Sequence, residues 1–210
     1  MNMFKVVRMS KRGALSADAF RQNLAEAQGT SPAKTVVSVA TGEVALGGTA
    51  PPFDGMAALY YPTLEAARDA AKRWPDALVC DEHLMSQKPS PETKIKIIRT
   101  VYRRRDLTHA QFKDYWLKNH AKLEDRVIAE SPVQRIVATF AVPEPGRDPL
   151  FDGMVELYFA SLPDLRAMFA GPIPAMMRKD EENFVQMDAP AVRLVAEELA
   201  TSSGRFPGST

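Results

Sequence analysis

Phe4-Lys5-Val6-Val7-Arg8 near the start of the chain returns as Ile95-Lys96-Ile97-Ile98-Arg99, and that echo decides the fold. Leu15-Ser16 and Phe20 return as Leu107-Thr108 and Phe112. Pro51-Pro52-Phe53-Asp54-Gly55-Met56-Ala57-Ala58-Leu59-Tyr60 returns as Pro149-Leu150-Phe151-Asp152-Gly153-Met154-Val155-Glu156-Leu157-Tyr158. A separation of roughly 90 to 100 residues exceeds the about 20–50 of a solenoid unit. It fits two copies of one small domain, a first over residues 1–88 and a second over 94–200. Residues 89–93 would link them, and 201–210 read as a polar, flexible tail.

Each copy reads as strand, helix, two strands, helix. In the second, residues 94–102 are rich in β-branched side chains and read as a strand. Thr108 with Gln111 forms a capping-box pattern that opens a helix, and Ser131-Pro132 ends it. Strands follow over 133–142 and 154–159, separated by a loop rich in proline. A helix from Ser161 is interrupted by Gly171-Pro172-Ile173-Pro174 and resumes over 175–184, and 191–198 is a final strand. The first copy gives strands over 3–9, 35–40 and 56–61 and helices over 16–28 and 63–74, with a loop around Gly47-Gly48. Ser86 to Thr93 stands where its fourth strand belongs, so that strand is expected to be short or missing. The βαββαβ order gives an α+β fold of two ferredoxin-like repeats, each an antiparallel sheet with its helices on one face. The strands carry apolar residues at both parities, so both sheet faces must be buried. The expected solution packs one sheet on the other, an intramolecular version of a dimeric α/β barrel with the helices outside.

Composition narrows the function classes. Apolar and charged fractions of 45% and 25% are those of an ordinary globular chain. A formal net charge of +1 offers no field for nucleic acid or an anionic membrane, and no segment approaches membrane-spanning length. Cys80 is the only cysteine, which rules out an internal disulfide framework and makes a reducing, cytoplasmic compartment the expectation. Asp81-Glu82-His83 lacks any paired His/Cys spacing, so no metal site is assigned. No glycine-rich loop leads from a strand into a helix, which leaves nucleotide binding without support.

Within the second copy, Arg103-Arg104-Arg105-Asp106-Leu107-Thr108, His109-Ala110-Gln111-Phe112-Lys113-Asp114-Tyr115-Trp116, His120-Ala121-Lys122-Leu123 and Phe151-Asp152-Gly153-Met154 closely resemble the EthD family of dimeric α/β barrels. The first copy shares the scaffold but has Asn23-Leu24 where the second has Tyr115-Trp116, and Gln28 where it has His120. The resemblance implies the barrel and a recurring histidine at position 120. It implies no single reaction, since lyases, isomerases, cyclases and monooxygenases share the superfamily.

Divergence within a shared scaffold selects the candidate residues. Phe112, Trp116 and His120 recur every four residues and share one stripe of their helix, facing the sheet. A histidine held against aromatic rings near a barrel lumen suits acid–base chemistry; it equally suits bonding a loop carbonyl. His120 and Tyr115 are the catalytic candidates; Trp116, Tyr102, Tyr158, Arg99 and Asp152 are the candidates for substrate contact. Arg99 is shared with Arg8, and either a scaffold ion pair or a clamp for a substrate carboxylate would explain it. Asp152-Gly153 is shared with Asp54-Gly55, which points to a turn into the third strand, with glycine supplying an unusual backbone angle. His109, in the first helical turn, is expected on the surface.

The preferred reading is a cofactor-independent enzyme of lyase, decarboxylase or isomerase type. His120 would move a proton on a hydrophobic aromatic or polycyclic molecule held in a single pocket in the second half of the barrel. The alternatives are a haem- or oxygen-dependent monooxygenase-like protein, with His120 as iron ligand or base, and a non-catalytic carrier of a hydrophobic metabolite. The chain is expected to stand as a monomeric pseudo-dimer that has the option of further homodimerisation.

Overall fold

The computed structural model describes residues 3–42, 51–146 and 149–201. The Gly47-Gly48 loop and the tail from 202 onward lie outside the described residues. The first half runs β1 (Phe4–Ser10), α1 (Ala17–Ala25), β2 (Lys34–Ala40), β3 (Gly55–Tyr61), α2 (Leu64–Ala71) and β4 (Leu78–Gln87). The second runs β5 (Ile95–Val101), α3 (His109–Tyr115), a π-helical turn (Trp116–His120), α4 (Ala121–Glu130), β6 (Arg135–Ala141), β7 (Gly153–Phe159), α5 (Leu162–Ala170), α6 (Ile173–Glu181) and β8 (Arg193–Thr201).

The eight strands close into one antiparallel barrel in the order β1-β3-β2-β8-β5-β7-β6-β4. Each half lays its strands fourth, first, third, second. The halves then join edge to edge by hydrogen bonding, β2 to β8 and β4 to β6, where one sheet had been expected to pack on the other. Closure leaves no exposed strand edge. The fourth strand of the first half, expected to be short or missing, is a full ten-residue strand. Its Leu84-Met85-Ser86 segment carries a register shift in the pairing with β6, and that irregularity, with few β-branched residues, hides it from a propensity reading.

Short polar side chains start the helices where the sequence places them. Ser16, Thr63 and Ser161 accept the backbone N–H three residues on, and Thr108 and Gln111 complete a reciprocal capping box. Strand alternation then divides the core. Val6, Ala57 and Leu59 meet Phe20 and Leu24 of α1 outside the barrel wall, and Ile97, Ile136 and Phe159 meet Val127 and Leu165 in the second half. The opposite parity points inward, where Val7, Met56, Cys80, Ile98, Met154 and Leu194 pack together.

That inward parity also carries Lys5 and Lys96, 0% and 1% exposed. Lys5 Nζ bonds Glu82 at 2.6 Å and Glu156 at 2.9 Å, and Lys96 Nζ bonds Glu156 at 2.5 Å and Glu198 at 2.9 Å. Tyr60 donates to Glu82, and Tyr158 to Glu198 and Glu156. Burial alone would raise the Glu156 pKa, but the two lysines outweigh it and hold the carboxyl below the usual range. The lumen is therefore a packed, ionised core. The expectation of a ligand bound inside the barrel fails for this reason: the space is taken by salt bridges and apolar side chains.

Asp152 and Gly153 serve the scaffold in a way the first half repeats. Asp152 Oδ2 accepts the Arg103 N–H at 3.0 Å, and Asp54 Oδ2 accepts the Arg12 N–H at 2.8 Å. Neither Gly55 nor Gly153 is among the glycines with positive φ, so an unusual backbone angle is not their purpose. A Cβ on Gly153 would sit 2.9 Å from both Phe112 Cζ and Trp116 Cζ3, and one on Gly55 would sit 2.7 Å from Leu24 Cδ1. The glycines let each half's first helix lie directly on its third strand.

Candidate functional site

Residues Trp116 to His120 form a π-helical turn between α3 and α4. Four residues overshoot a 3.6-residue turn but fall short of an i→i+5 turn, so the wide turn reverses the drift of the stripe. Trp116 and His120 thereby stay on the buried side with Phe112, and their rings meet edge to face at 5.8 Å. Phe184 closes the other flank of the imidazole at 5.0 Å.

The imidazole is 3% exposed and its Nδ1 lies 2.7 Å from Asp180 Oδ2. Tyr115, stacked on Phe184, donates its hydroxyl to the other Asp180 oxygen at 3.0 Å. Tyr115 thus orients the carboxylate that holds the histidine. Burial lowers the His120 pKa, and the hydrogen bond to Asp180 partly opposes that shift. The ring is poised as a neutral base near pH 7, with Asp180 fixing Nδ1 as the protonated nitrogen and Nε2 carrying the lone pair.

His120 lines a cavity of about 230 Å³ between the helices and the outer face of the sheet. Ile97 and Arg99 of β5 and Val155 and Leu157 of β7 form its floor; Trp116, Met168, Phe169 and Met177 form much of its roof. It is smaller than the roughly 300–1,000 Å³ of drug-sized ligand pockets. His120 is the one imidazole among its lining residues, so it is the side chain that would hold a haem iron there. Among the described residues no group of three or more His, Cys, Asp or Glu is arranged to hold a metal ion.

Glu124, one turn beyond His120, is a site residue that sequence reasoning misses. It is 1% exposed, lines the same cavity, and accepts the Trp116 indole N–H through Oε1 at 3.2 Å. Its Oε2 is buried with no hydrogen-bond partner. Burial pushes the carboxyl pKa up to about 7, against the pull of the Trp116 N–H. An acid in the sequence Lys122-Leu123-Glu124-Asp125 looks like any solvated helix charge; only its place on the Trp116 face distinguishes it. Asp180 is equally silent in the sequence, sixty residues from its partner.

The remaining candidates separate. Trp116 and Arg99 line the cavity with His120. Tyr102 borders an adjoining cavity of about 260 Å³ and donates its hydroxyl to the Leu150 carbonyl. Tyr158 lies in the lumen network, since its parity on β7 is that of Glu156, and Asp152 is taken up by Arg103. None of the three is among the residues that line the cavity with His120. His109 is half-buried beside Phe112, not on the surface, and burial lowers its pKa. Cys80 is fully buried on β4, with its thiol pushed up to about 12 by burial, so it is chemically quiet. A larger cavity of about 410 Å³ beside α2, bordered by Trp74 and the Arg68–Glu144 ion pair, holds none of these groups.

Residues 104–188 match the EthD domain, a span that contains His120, Glu124 and Asp180 and stops short of Arg99 and Arg193. The whole chain is similar in fold to an anthrone oxidase-like protein, with a TM-score of 0.68, 7% identity, and coverage of 100% of this chain and 97% of that one. A candidate monooxygenase from Fusobacterium nucleatum subsp. nucleatum gives a TM-score of 0.55 and 6% identity over 98% of this chain and 96% of its own. A candidate monooxygenase from Lactobacillus acidophilus NCFM gives 0.51 and 9%, over 96% of each chain. At these identities the likeness concerns the fold alone. Comparison with curated proteins finds no match.

Proposed function

From the EthD domain over residues 104–188 as premise, we propose that the protein is an enzyme for proton transfer on a small aromatic molecule, without a cofactor, and that the cavity beneath its second-half helices is the active site. The observation that carries this reading is the His120–Asp180 pair. A neutral imidazole, fixed through Nδ1, stands on the wall of a largely apolar cavity. His120 Nε2 takes a proton from carbon α to a carbonyl, and the C–H electron pair moves to the carbonyl oxygen as an enolate. Glu124, in its protonated form, is the second group able to return a proton. Such positioned groups contribute about 10²–10⁴-fold.

We further read the chain as a tandem duplication that acts as its own dimer, supported by the matching strand order of the two halves and by Lys5, Tyr60 and Glu82 standing in register with Lys96, Tyr158 and Glu198. The lone buried Cys80 supports a cytoplasmic setting, and no described helix is long and apolar enough to cross a membrane. The test is exchange of the acidic C–H protons of 2-tetralone with D₂O, followed by proton NMR. The native protein is expected to accelerate exchange, and His120→Ala to lose that acceleration by about 10²-fold or more. Unchanged exchange in the variant would remove His120 as the base. Tight binding with no exchange would favour the carrier.

A further inference from the structure

Arg99 and Arg193 stand directly opposite each other on β5 and β8, and Arg178 reaches the same place from α6. Like charges directly opposed across two strands are unfavourable, so this arrangement calls for a compensating anion. Two carboxylates line these cavities among the described residues: Glu181 binds Arg99 Nη1 at 2.5 Å, whereas Glu124 accepts the Trp116 indole N–H and pairs with none of the arginines. The Arg99 Nε is buried without a hydrogen-bond partner. The Arg178 and Arg193 side chains have no hydrogen-bond or ion-pair partner among the described residues. Burial, followed by Arg99 and Arg178, lowers the Arg193 pKa, while Glu181 opposes the shift.

The same three arginines border both the apolar cavity with His120 and the adjoining cavity lined by Tyr102, Gln186 and Met187. They form the seam between an oily chamber and a polar one. The first half shows what an arginine at this repeat position does when it serves the scaffold. Arg8 stacks 4.3 Å over the Trp74 ring and donates to the Glu26 carbonyl. Among the described residues Arg99 has no such aromatic partner; it pairs with Glu181 and lines the cavity.

Resting on the reading of this cavity as a small-molecule site, we infer that the ligand is an amphipathic anion. Its aromatic body would lie on Ile97, Trp116 and Leu157, and a carboxylate would sit at the seam among Arg99, Arg178 and Arg193. Guanidinium groups grip carboxylates in paired hydrogen bonds, which fixes the body of the ligand relative to His120.

The experiment is isothermal titration calorimetry of the full chain with 2-naphthoate and, as its neutral match, 2-naphthylmethanol. Binding is measured for the native protein, Arg193→Gln, Arg178→Gln and His120→Ala. 2-Naphthoate is expected to bind tenfold or more tighter than the alcohol, a preference that each arginine variant erodes and that falls with added salt. His120→Ala should keep the preference, because it depends on binding and not on turnover. Equal affinity for the two ligands would overturn the inference while leaving the acid–base reading of His120 intact. A preference unaffected by both arginine variants would overturn it by placing the anion elsewhere. Failure of both ligands to bind would overturn it together with the small-molecule reading. Inorganic phosphate is titrated alone; binding as tight as that of 2-naphthoate would overturn it in favour of a phosphate site with no need of the apolar chamber.

Discussion

Replacing Glu156 by Gln isolates the carboxylate that joins the two halves across the barrel interior. In the native chain Lys5, Lys96 and Arg135 face Glu82, Glu156 and Glu198, so the charges of the cluster balance. Glu156→Gln leaves one positive charge in excess in a lumen where both lysines are essentially unexposed. Removing one partner of a buried ion pair costs about 3–5 kcal/mol. Each lysine retains a second carboxylate, Glu82 or Glu198, so the cost belongs at the lower end, about 3 kcal/mol. At about 2–4 °C per kcal/mol for a chain of this size, the melting temperature should fall by about 6–12 °C. Urea unfolding followed by circular dichroism at pH 7 gives the free energy directly. The double variant Lys96→Met/Glu156→Gln removes the excess charge and should be less destabilised than the sum of the single changes, by about 1 kcal/mol or more. The acid limb adds a sign. The Glu156 pKa is lowered in the fold, so its contribution is present above the unfolded value of about 4.3 and is lost as the pH falls below that value. Glu156→Gln should flatten this limb. A single variant within about 0.5 kcal/mol of the native protein, or strictly additive double-variant energies, would refute the coupled lumen.

Gly153→Ala drives a methyl into Phe112 and Trp116 at 2.9 Å, so thermal unfolding should show a loss of about 1–3 kcal/mol together with weakened ligand binding at the Trp116 wall. Asp180→Asn weakens the support that raises the His120 pKa, so the ring should titrate at lower pH by NMR and 2-tetralone exchange should slow. The exchange rate itself should be bell-shaped in pH. It rises as His120 deprotonates at its lowered pKa and falls as Glu124 ionises near its value of about 7, and Glu124→Gln should abolish the alkaline fall. A buried carboxyl with a raised pKa favours the fold below its unfolded value and loses that contribution as the pH rises, so Glu124→Gln should also stabilise the protein at pH 8 relative to the native chain.

The barrel was legible because strands apolar on both faces, occurring in matching segments of the two halves, need a partner for the second face of each sheet. His120 stands out in the sequence because the four-residue stripe Phe112, Trp116, His120 differs from the matching positions of the first half. The lumen salt bridges were within reach of the same comparison. Lys5 and Lys96, Tyr60 and Tyr158, and Glu82 and Glu198 hold matching register positions in the two halves, yet a lysine between apolar residues of a strand reads as a solvated edge until the strands close around it. Glu124 and Asp180 acquire their roles only from tertiary contacts with Trp116 and His120, and no local pattern encodes those. The Asp-Gly turns were located correctly, but their reason was steric, a helix lying on a strand, which spacing alone does not reveal.

A crystal structure of the full chain with 2-naphthoate tests the location of the site most directly. The ring is expected beneath the second-half helices, in contact with Trp116 and Leu157, within reach of His120 Nε2, and with its carboxylate at the arginine seam. Ring density in the barrel lumen, or in the cavity beside Trp74 and Glu144, would contradict the assignment of the active site to this chamber.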